Sequence, residues 1–317
     1  MAMLTVTLVA TFAAAAMWQQ WRSVEVEQAE RDRVQSAWIL TGALDWVRLI
    51  LREDGKNGGP DYLSEPWAVP LEEAKLSTFL AAEKGVAAAG SGDDALDAFL
   101  SGQIIDLQSL LNVNNLVDKG KVSETGLRSF SRLFALLGLP PSQLSTLAEN
   151  LRFASDLSAG NRSSPMAPLM PQRVEQLVWL GLPAETVAVL QPYVTVLAAP
   201  TATPVNLNTA KAEVIYASIE GISMADAQRL VAERDRTPLR TVSQAAKVIG
   251  RDESSLGNDQ VGIQSAYFES RGRLRLGQMV VEERSVLRRE TSNEVHAIQR
   301  ERGVIEAPPP GATLPSR

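Results

Sequence analysis

The first 21 residues, MAMLTVTLVATFAAAAMWQQW, contain no charged side chain. As a helix, a run of that length and polarity can cross a bilayer core of about 30 Å. No breaker follows it. From Arg22 an amphipathic pattern continues to Asp54 without a proline, and Gly42 is the only glycine on the way. The sequence therefore predicts one continuous helix over residues 1–54, about 80 Å long at about 1.5 Å per residue. Residues 1–21 form its membrane part and residues 22–54 stand in water. Within the second part, residues 22–33 are polar, with Glu27 and Arg31 placed as an i,i+4 pair. Above them Val34, Ala37, Trp38, Leu40, Leu44, Val47, Ile50 and Leu51 recur at helical spacing and can bury one face on a domain. Trp18 and Trp21 suit the membrane exit. The run Asp54-Gly55-Lys56-Asn57-Gly58-Gly59-Pro60 stops the helix. The start shows neither the basic region nor the small-residue cleavage site of a secretory signal, so the run reads as an anchor.

Composition mainly excludes. There is no cysteine, hence no disulfide, thiolate zinc site or thiol chemistry. The single histidine, His296, argues against histidine-based metal binding or catalysis. A net charge of −6 offers no nucleic-acid footprint. No nucleophile–base pair or phosphate loop stands out, so the chain reads as a non-enzyme. With 317 residues, 45% of them hydrophobic, it can build two or three cored domains.

After the rod, residues 60–72 are expected to be an irregular loop anchored by Tyr62 and Trp67, and Leu71 to Glu83 a short helix. Residues 85–99 are small and acidic. Asp61, Glu65, Asp93, Asp94 and Asp97 are candidate oxygen ligands for Ca²⁺, although no EF-hand spacing is present. SGQIIDLQSLLNVNNL (101–116) reads as two short strands joined near Asp106 to Ser109. Residues 55–115 thus carry a loop and the first strands. Residues 116–258 read as an inserted helical domain of two modules, 116–199 and 204–252. Ser123, Ser142 and Ala184 lie near expected helix starts, and residues 158–171 form a linker. Asn112-Val113-Asn114 and Asn206-Leu207-Asn208, 94 residues apart, each open a helical run and suit capping, which suggests a duplicated module.

The second module resembles a helix-hairpin-helix, with its turn at Gly221-Ile222-Ser223. A phosphate-binding version of that turn needs a second glycine and a basic surround. Here Ser223 takes the glycine's place, and residues 200–258 hold seven Lys/Arg against seven Asp/Glu. A protein-contact hairpin is the expected reading, and a membrane-anchored DNA receptor is its rival. Residues 259–302 alternate as closing strands, with 292–302 as a further edge strand. Arginines 271, 273, 275, 284, 288 and 289 read as a solvated strand face. Residues 303–317 read as a disordered tail.

The ordered set of a charge-free N-terminal run, WQQWR (18–22), QSAWILTGALDWVRLILRED (35–54) and YLSEPWAVPL (62–71) resembles the minor pseudopilin K family of type II secretion systems, over about residues 1–290. The resemblance implies an α+β fold: a pilin-like long N-terminal helix packed on an antiparallel sheet, with a large, mostly helical domain inserted between the strands. It implies a subunit at the tip of the pseudopilus, taking part in initiating its assembly and in export across the outer membrane. The implied location is the inner membrane, single-pass, with the bulk of the chain in the periplasm. The implied partners are the minor pseudopilins I and J, further out H and the major pseudopilin G, the inner-membrane assembly platform, and the prepilin peptidase that trims and methylates the N-terminus. No nucleic acid is expected. On this reading Met1 is the mature, methylated first residue. Thr5 stands where most pilin-like proteins carry a glutamate, as suits a subunit that need not dock beneath another. Relatives in this family can bind Ca²⁺, which keeps the acidic residues above as candidates.

Overall fold

The computed structural model describes residues 2–77, 98–156, 158–162, 164–257, 259–277 and 279–306. The expected rod is there and runs a turn further than the sequence suggested. α1 spans Ala2–Asn57, 56 residues or about 84 Å, and Gly58 and Gly59 end it at positive φ. Among the described residues, only its upper part packs on the rest of the protein. Leu44, Val47 and Leu51 are buried against Trp67, Phe268, Leu287 and Val295, and Trp67 meets Phe268 edge-on at 5.2 Å. Leu40 is buried against Ala98, Leu100, Leu274, Leu276 and Val281.

The sheet beneath α1 has five antiparallel strands in the order β1-β2-β9-β10-β11. These are β1 (Leu71–Lys75), β2 (Ala98–Asp106), β9 (Tyr267–Leu276), β10 (Met279–Arg289) and β11 (Val295–Glu306). β2 pairs directly with β9, from Ala98 opposite Leu276 to Asp106 opposite Phe268. The 161 residues between Asp106 and Phe268 therefore form an excursion from one sheet.

That excursion folds as two units, each closed by a short parallel strand pair. In the first, β3 (Leu111–Asn112) pairs with β6 (Val194–Thr195). They enclose the hairpin β4 (Val117–Asp118) and β5 (Lys121–Val122), then α2 (Glu124–Leu136), α3 (Pro141–Ser155), the single turn α4 (Ala159–Arg162), a 3-10 segment Val174–Leu180 and α5 (Ala184–Leu190). In the second, β7 (Val205–Asn206) pairs with β8 (Val261–Gly262) around α6 (Ala212–Ser218), α7 (Met224–Arg236) and α8 (Val242–Val248). Ser123 caps α2 through Gly126 N at 3.1 Å. Gly126 itself is required by close approach, because a Cβ there would lie 2.1 Å from the Asn115 carbonyl oxygen. Phe130, Leu133, Leu147, Leu177, Leu190, Leu207, Ile215 and Leu230 belong to one buried cluster, so the two units share a core.

The Asn-x-Asn echo has a structural counterpart. Asn112 Oδ1 accepts from Asn114 N at 3.1 Å and from Leu197 N at 3.0 Å. Asn206 Oδ1 accepts from Asn208 N at 2.9 Å, and Asn208 holds both the N–H and the carbonyl of Leu239.

Several expectations are corrected. Residues 71–75 are helix-prone by composition but form an edge strand, because β2 offers them an open ladder. The part of the expected 71–83 helix beyond residue 77 lies outside the described residues. The second of the two strands read in 101–116 is not in the main sheet. The chain turns through a 3-10 helix at Leu107–Ser109, and Leu111–Asn112 pairs inside the insert. Residues 303–306 belong to β11 rather than to a tail, paired with β10 up to Glu306 opposite Met279. The arginines of β9 and β10 stay partly solvated, as expected, but they are also engaged in ion pairs. Arg271 and Arg284 both bond the buried Glu269, and Arg275 bonds Glu73. The arginine pattern showed charge, but of the acids that receive it Glu269 is buried on β9 itself and reaches Arg284 on the next strand, while Glu73 comes from β1.

Candidate functional site

Three places carry the chemistry: the anchor part of α1, the hairpin turn of the second module, and the junction where the insert leaves and rejoins the sheet.

α1 is long and apolar enough to cross a membrane, with an 18-residue window of mean hydropathy 1.2 that nothing among the described residues buries. Thr5 lies on this exposed stretch, and Met1 lies outside the described residues.

The hairpin turn joins α6 to α7. Gly221 adopts φ 75°, a left-handed conformation that glycine takes at no steric cost. Ser223 then caps α7: its Oγ accepts from Asp226 N at 3.2 Å, while Asp226 Oδ2 accepts from Ser223 N at 3.0 Å. The backbone N–H of Ser223 holds the Asp226 carboxyl below its usual range. A carboxylate therefore occupies the helix start that a phosphate would need. On the other side Arg132 of α2 stacks on Tyr216 at 4.4 Å and donates to the Ile222 carbonyl at 3.2 Å, tying the turn to the first module.

The junction is built around Asp106, which ends β2 with its carboxylate buried. Oδ1 accepts from Gln108 N at 2.8 Å. Oδ2 accepts from Thr209 Oγ1 at 2.5 Å, Ser265 Oγ at 2.6 Å and Asn206 Nδ2 at 3.1 Å. One acid thus gathers the exit from the sheet, the entry to the second module and the return to β9. Gln108 adds bonds to the Pro204 carbonyl and to Ala266 N. Beside it, Asp61 Oδ2 accepts from Ser265 N at 2.7 Å, and Arg289 Nη2 reaches both Asp61 oxygens at 2.6 and 2.7 Å. Arg289 Nη1 donates to Asp54 Oδ2 at 2.7 Å, and the guanidinium lies 5.1 Å from the Phe268 ring centre. The end of α1, the loop after it, β2, β10 and the insert therefore meet in one polar network. Burial pushes Asp106 up. Burial also pushes Asp61 up to about 7, against the opposing pull of Arg289 and the Ser265 N–H. Burial works to lower Arg289, but Asp61 and Asp54 outweigh it and hold the guanidinium charged.

Of the expected Ca²⁺ candidates, the fold brings Asp61 and Glu65 together, and adds Asp54; one oxygen from each lies within 4.8 Å of the others. Asp93, Asp94 and Asp97 lie outside the described residues. The three carboxylates do not fit a Ca²⁺ ion as they stand. Arg289 occupies both oxygens of Asp61, and Glu65 Oε2 accepts from Tyr62 N at 2.9 Å and Trp67 Nε1 at 2.8 Å. What remains falls short of the six to eight oxygens that Ca²⁺ takes, and the charge is already met by a guanidinium. The sequence reading missed Asp54, Asp106 and Arg289 as partners. Its available signal was an acid closing an apolar strand at Asp106 and an arginine closing another at Arg289.

Two family models, both described as type II secretion system (T2SS), protein K, match the chain over residues 109–199 and 205–263. These are nearly the stretches that the two parallel strand pairs close. Among curated proteins, the type II secretion system protein K of Pseudomonas aeruginosa is 26% identical over 300 residues, covering 87% of this chain and 83% of that protein. Among solved structures, a chain of the GspK-GspI-GspJ complex from the type 2 secretion system of enterotoxigenic Escherichia coli superposes with a TM-score of 0.66. It is 18% identical, and the match covers 87% of this chain and 98% of that one, a likeness of fold.

Proposed function

Because the chain belongs to the type II secretion system protein K family, we propose that it works as a minor pseudopilin at the tip of the pseudopilus, helping to start its assembly. On this reading α1 anchors the chain in the inner membrane, single-pass, with the globular part in the periplasm. The same helix packs among the helices of other subunits once assembled. Minor pseudopilins I and J are the proposed neighbours, since the similar solved chain is named in a complex with proteins of those letters. The role is one of assembly and not of catalysis.

The observation that carries this reading is the dual nature of α1. Its upper part is built into the sheet, while Leu4, Val6, Val9, Phe12, Trp18 and Trp21 stand exposed below. A helix that exposes this much apolar surface needs a membrane or a bundle around it. The hairpin turn supports protein contact over the rival DNA-receptor reading, because Asp226 holds the place of a phosphate. The test is co-purification of the full chain, in detergent, with its I and J counterparts. A stable ternary complex is expected, and no complex at micromolar concentrations would overturn the reading. A mobility shift on DNA at low salt is expected to be absent.

A further inference from the structure

Four features coincide where α1 leaves the sheet. First, Ser36 and Leu40 are the last buried side chains toward the N-terminus; between residues 3 and 35 none is buried. Second, two hydroxyls bond back onto the helix. Ser36 Oγ donates to the Arg33 carbonyl at 2.9 Å, and Thr41 Oγ1 to the Ala37 carbonyl at 2.8 Å. Such bonds compete with the helical ladder and bend helices. Third, Gly42 follows at once, with nothing within 4 Å of where its Cβ would be. Glycine in a helix interior weakens the helix relative to alanine.

The fourth feature comes from the sheet. Arg300 and Arg302, on edge strand β11, both clamp the buried Glu283 of β10: Arg300 Nε at 2.7 Å on one oxygen, Arg302 Nη2 at 2.6 Å on the other. The same two guanidiniums touch α1. Arg300 Nη2 donates to Thr41 Oγ1 at 2.9 Å, and Arg302 Nη2 lies 3.5 Å from the Ala37 carbonyl oxygen. The result is a closed ring, Glu283–Arg300–Thr41–Ala37–Arg302, at the last point where the body holds the rod. Thr7, Thr11 and Ser23 bond back in the same way lower down. There, among the described residues, no glycine and no arginine from the sheet joins them.

We propose that residues 36–42 are a bending joint in α1, and that the ring around Glu283 sets its resting angle. Hydroxyls bonded back onto helix carbonyls bend helices and an interior glycine weakens them, and this segment has both. Below it the helix runs about 50 Å at about 1.5 Å per residue, so a bend of about 10° carries the N-terminus about 9 Å sideways. The joint lets one globular body present its rod at different angles without unfolding the helix or repacking the sheet. It does not depend on which partners the rod meets.

The chain has no cysteine, so paired spin labels can be placed freely. Labels at Glu25→Cys and Glu72→Cys read the rod against the body in the full chain in lipid nanodiscs, by pulsed electron spin resonance. A control pair, Glu72→Cys with Ser145→Cys, reads the body alone. Arg300→Ala with Arg302→Ala is expected to broaden the rod–body distance distribution about twofold as the angle is released. Gly42→Ala is expected to narrow it, and Arg300→Lys with Arg302→Lys to fall between wild type and the alanine pair. The joint is refuted if either Gly42→Ala or the alanine pair leaves the width unchanged. It is also refuted if the control pair broadens along with the rod pair, since the ring would then be holding the body together.

Discussion

Asp106 and Glu283 are both buried carboxylates on neighbouring parts of one sheet, yet the fold satisfies them in opposite ways. Asp106 lies at the junction with the insert and is held by four neutral donors: two hydroxyls, an amide side chain and a backbone N–H. Glu283 lies under the exit of α1 and is held by two arginines whose side chains remain about a third exposed. Short neutral donors reach one point only, so Asp106 fixes the geometry of three chain crossings. Arginines carry their own charge to the acid and keep long, mobile stems, so Glu283 can hold a neighbour while that neighbour moves. The first arrangement suits a seam that must not shift, the second a joint.

The largest expected effect is at the seam. Asp106→Ala leaves Thr209, Ser265, Asn206 and the Gln108 N–H without their common acceptor, and should cost about 4 kcal/mol in urea melts. A loss under 1 kcal/mol would mean that the crossings are set by packing alone. Next is Arg289→Met, which strands Asp61 and Asp54 together in a buried pocket and should cost about 3 kcal/mol. In the wild type, millimolar Ca²⁺ and chelator should leave the melting temperature unchanged, because the guanidinium already serves as the cation. A Ca²⁺-dependent rise of several degrees would refute that.

The seam should also carry a pH signature. Burial raises Asp61 to about 7 and also raises Asp106, from an ordinary 3.8 in each case. The folded chain therefore keeps protons that the unfolded chain releases. Stability should be greatest near the lower end of that window and fall as pH rises from about 4 toward 7, by on the order of 2 kcal/mol. Melts across the window check the slope, and Asp61→Asn should flatten it. The smallest effect is expected at the joint. Glu283→Gln should cost about 1 kcal/mol, because partly exposed arginines recover much of their solvation, and that cost should shrink in high salt while the Asp106→Ala cost does not. Equal salt dependence at both sites would erase the contrast.

Much of the fold was legible because periodic patterns are local. The charge-free run, the stripe from Leu40 to Leu51, the breakers at 54–60 and the alternation after residue 266 each state an element within a few turns of chain. Ser123 and Ala184 fell close to real helix starts for the same reason. Residues 71–75 misled because Glu-Glu-Ala-Lys favours a helix until a strand offers it an edge. The arginines of β9 and β10 misled because Glu269 is buried and shared between Arg271, two residues on, and Arg284 on the neighbouring strand, while Glu73 lies 202 positions from Arg275. Of the acidic candidates, Asp61 and Glu65 do come together, but the residues that define their neighbourhood, Asp54 and Arg289, are 235 positions apart.

By itself the sequence determined the rod, its polarity gradient and the two echoing modules between strands, since hydrophobic period and breaker residues act over short stretches. Tertiary structure alone decided where the charges go. It alone joined Asp106 to Thr209 and Ser265, set Arg289 between two aspartates, and brought Arg300 and Arg302 under Thr41. These contacts depend on which strands lie side by side, and no local pattern encodes that register. The rod was written in the first 54 residues, while the point at which it can bend was fixed by an edge strand some 260 residues later.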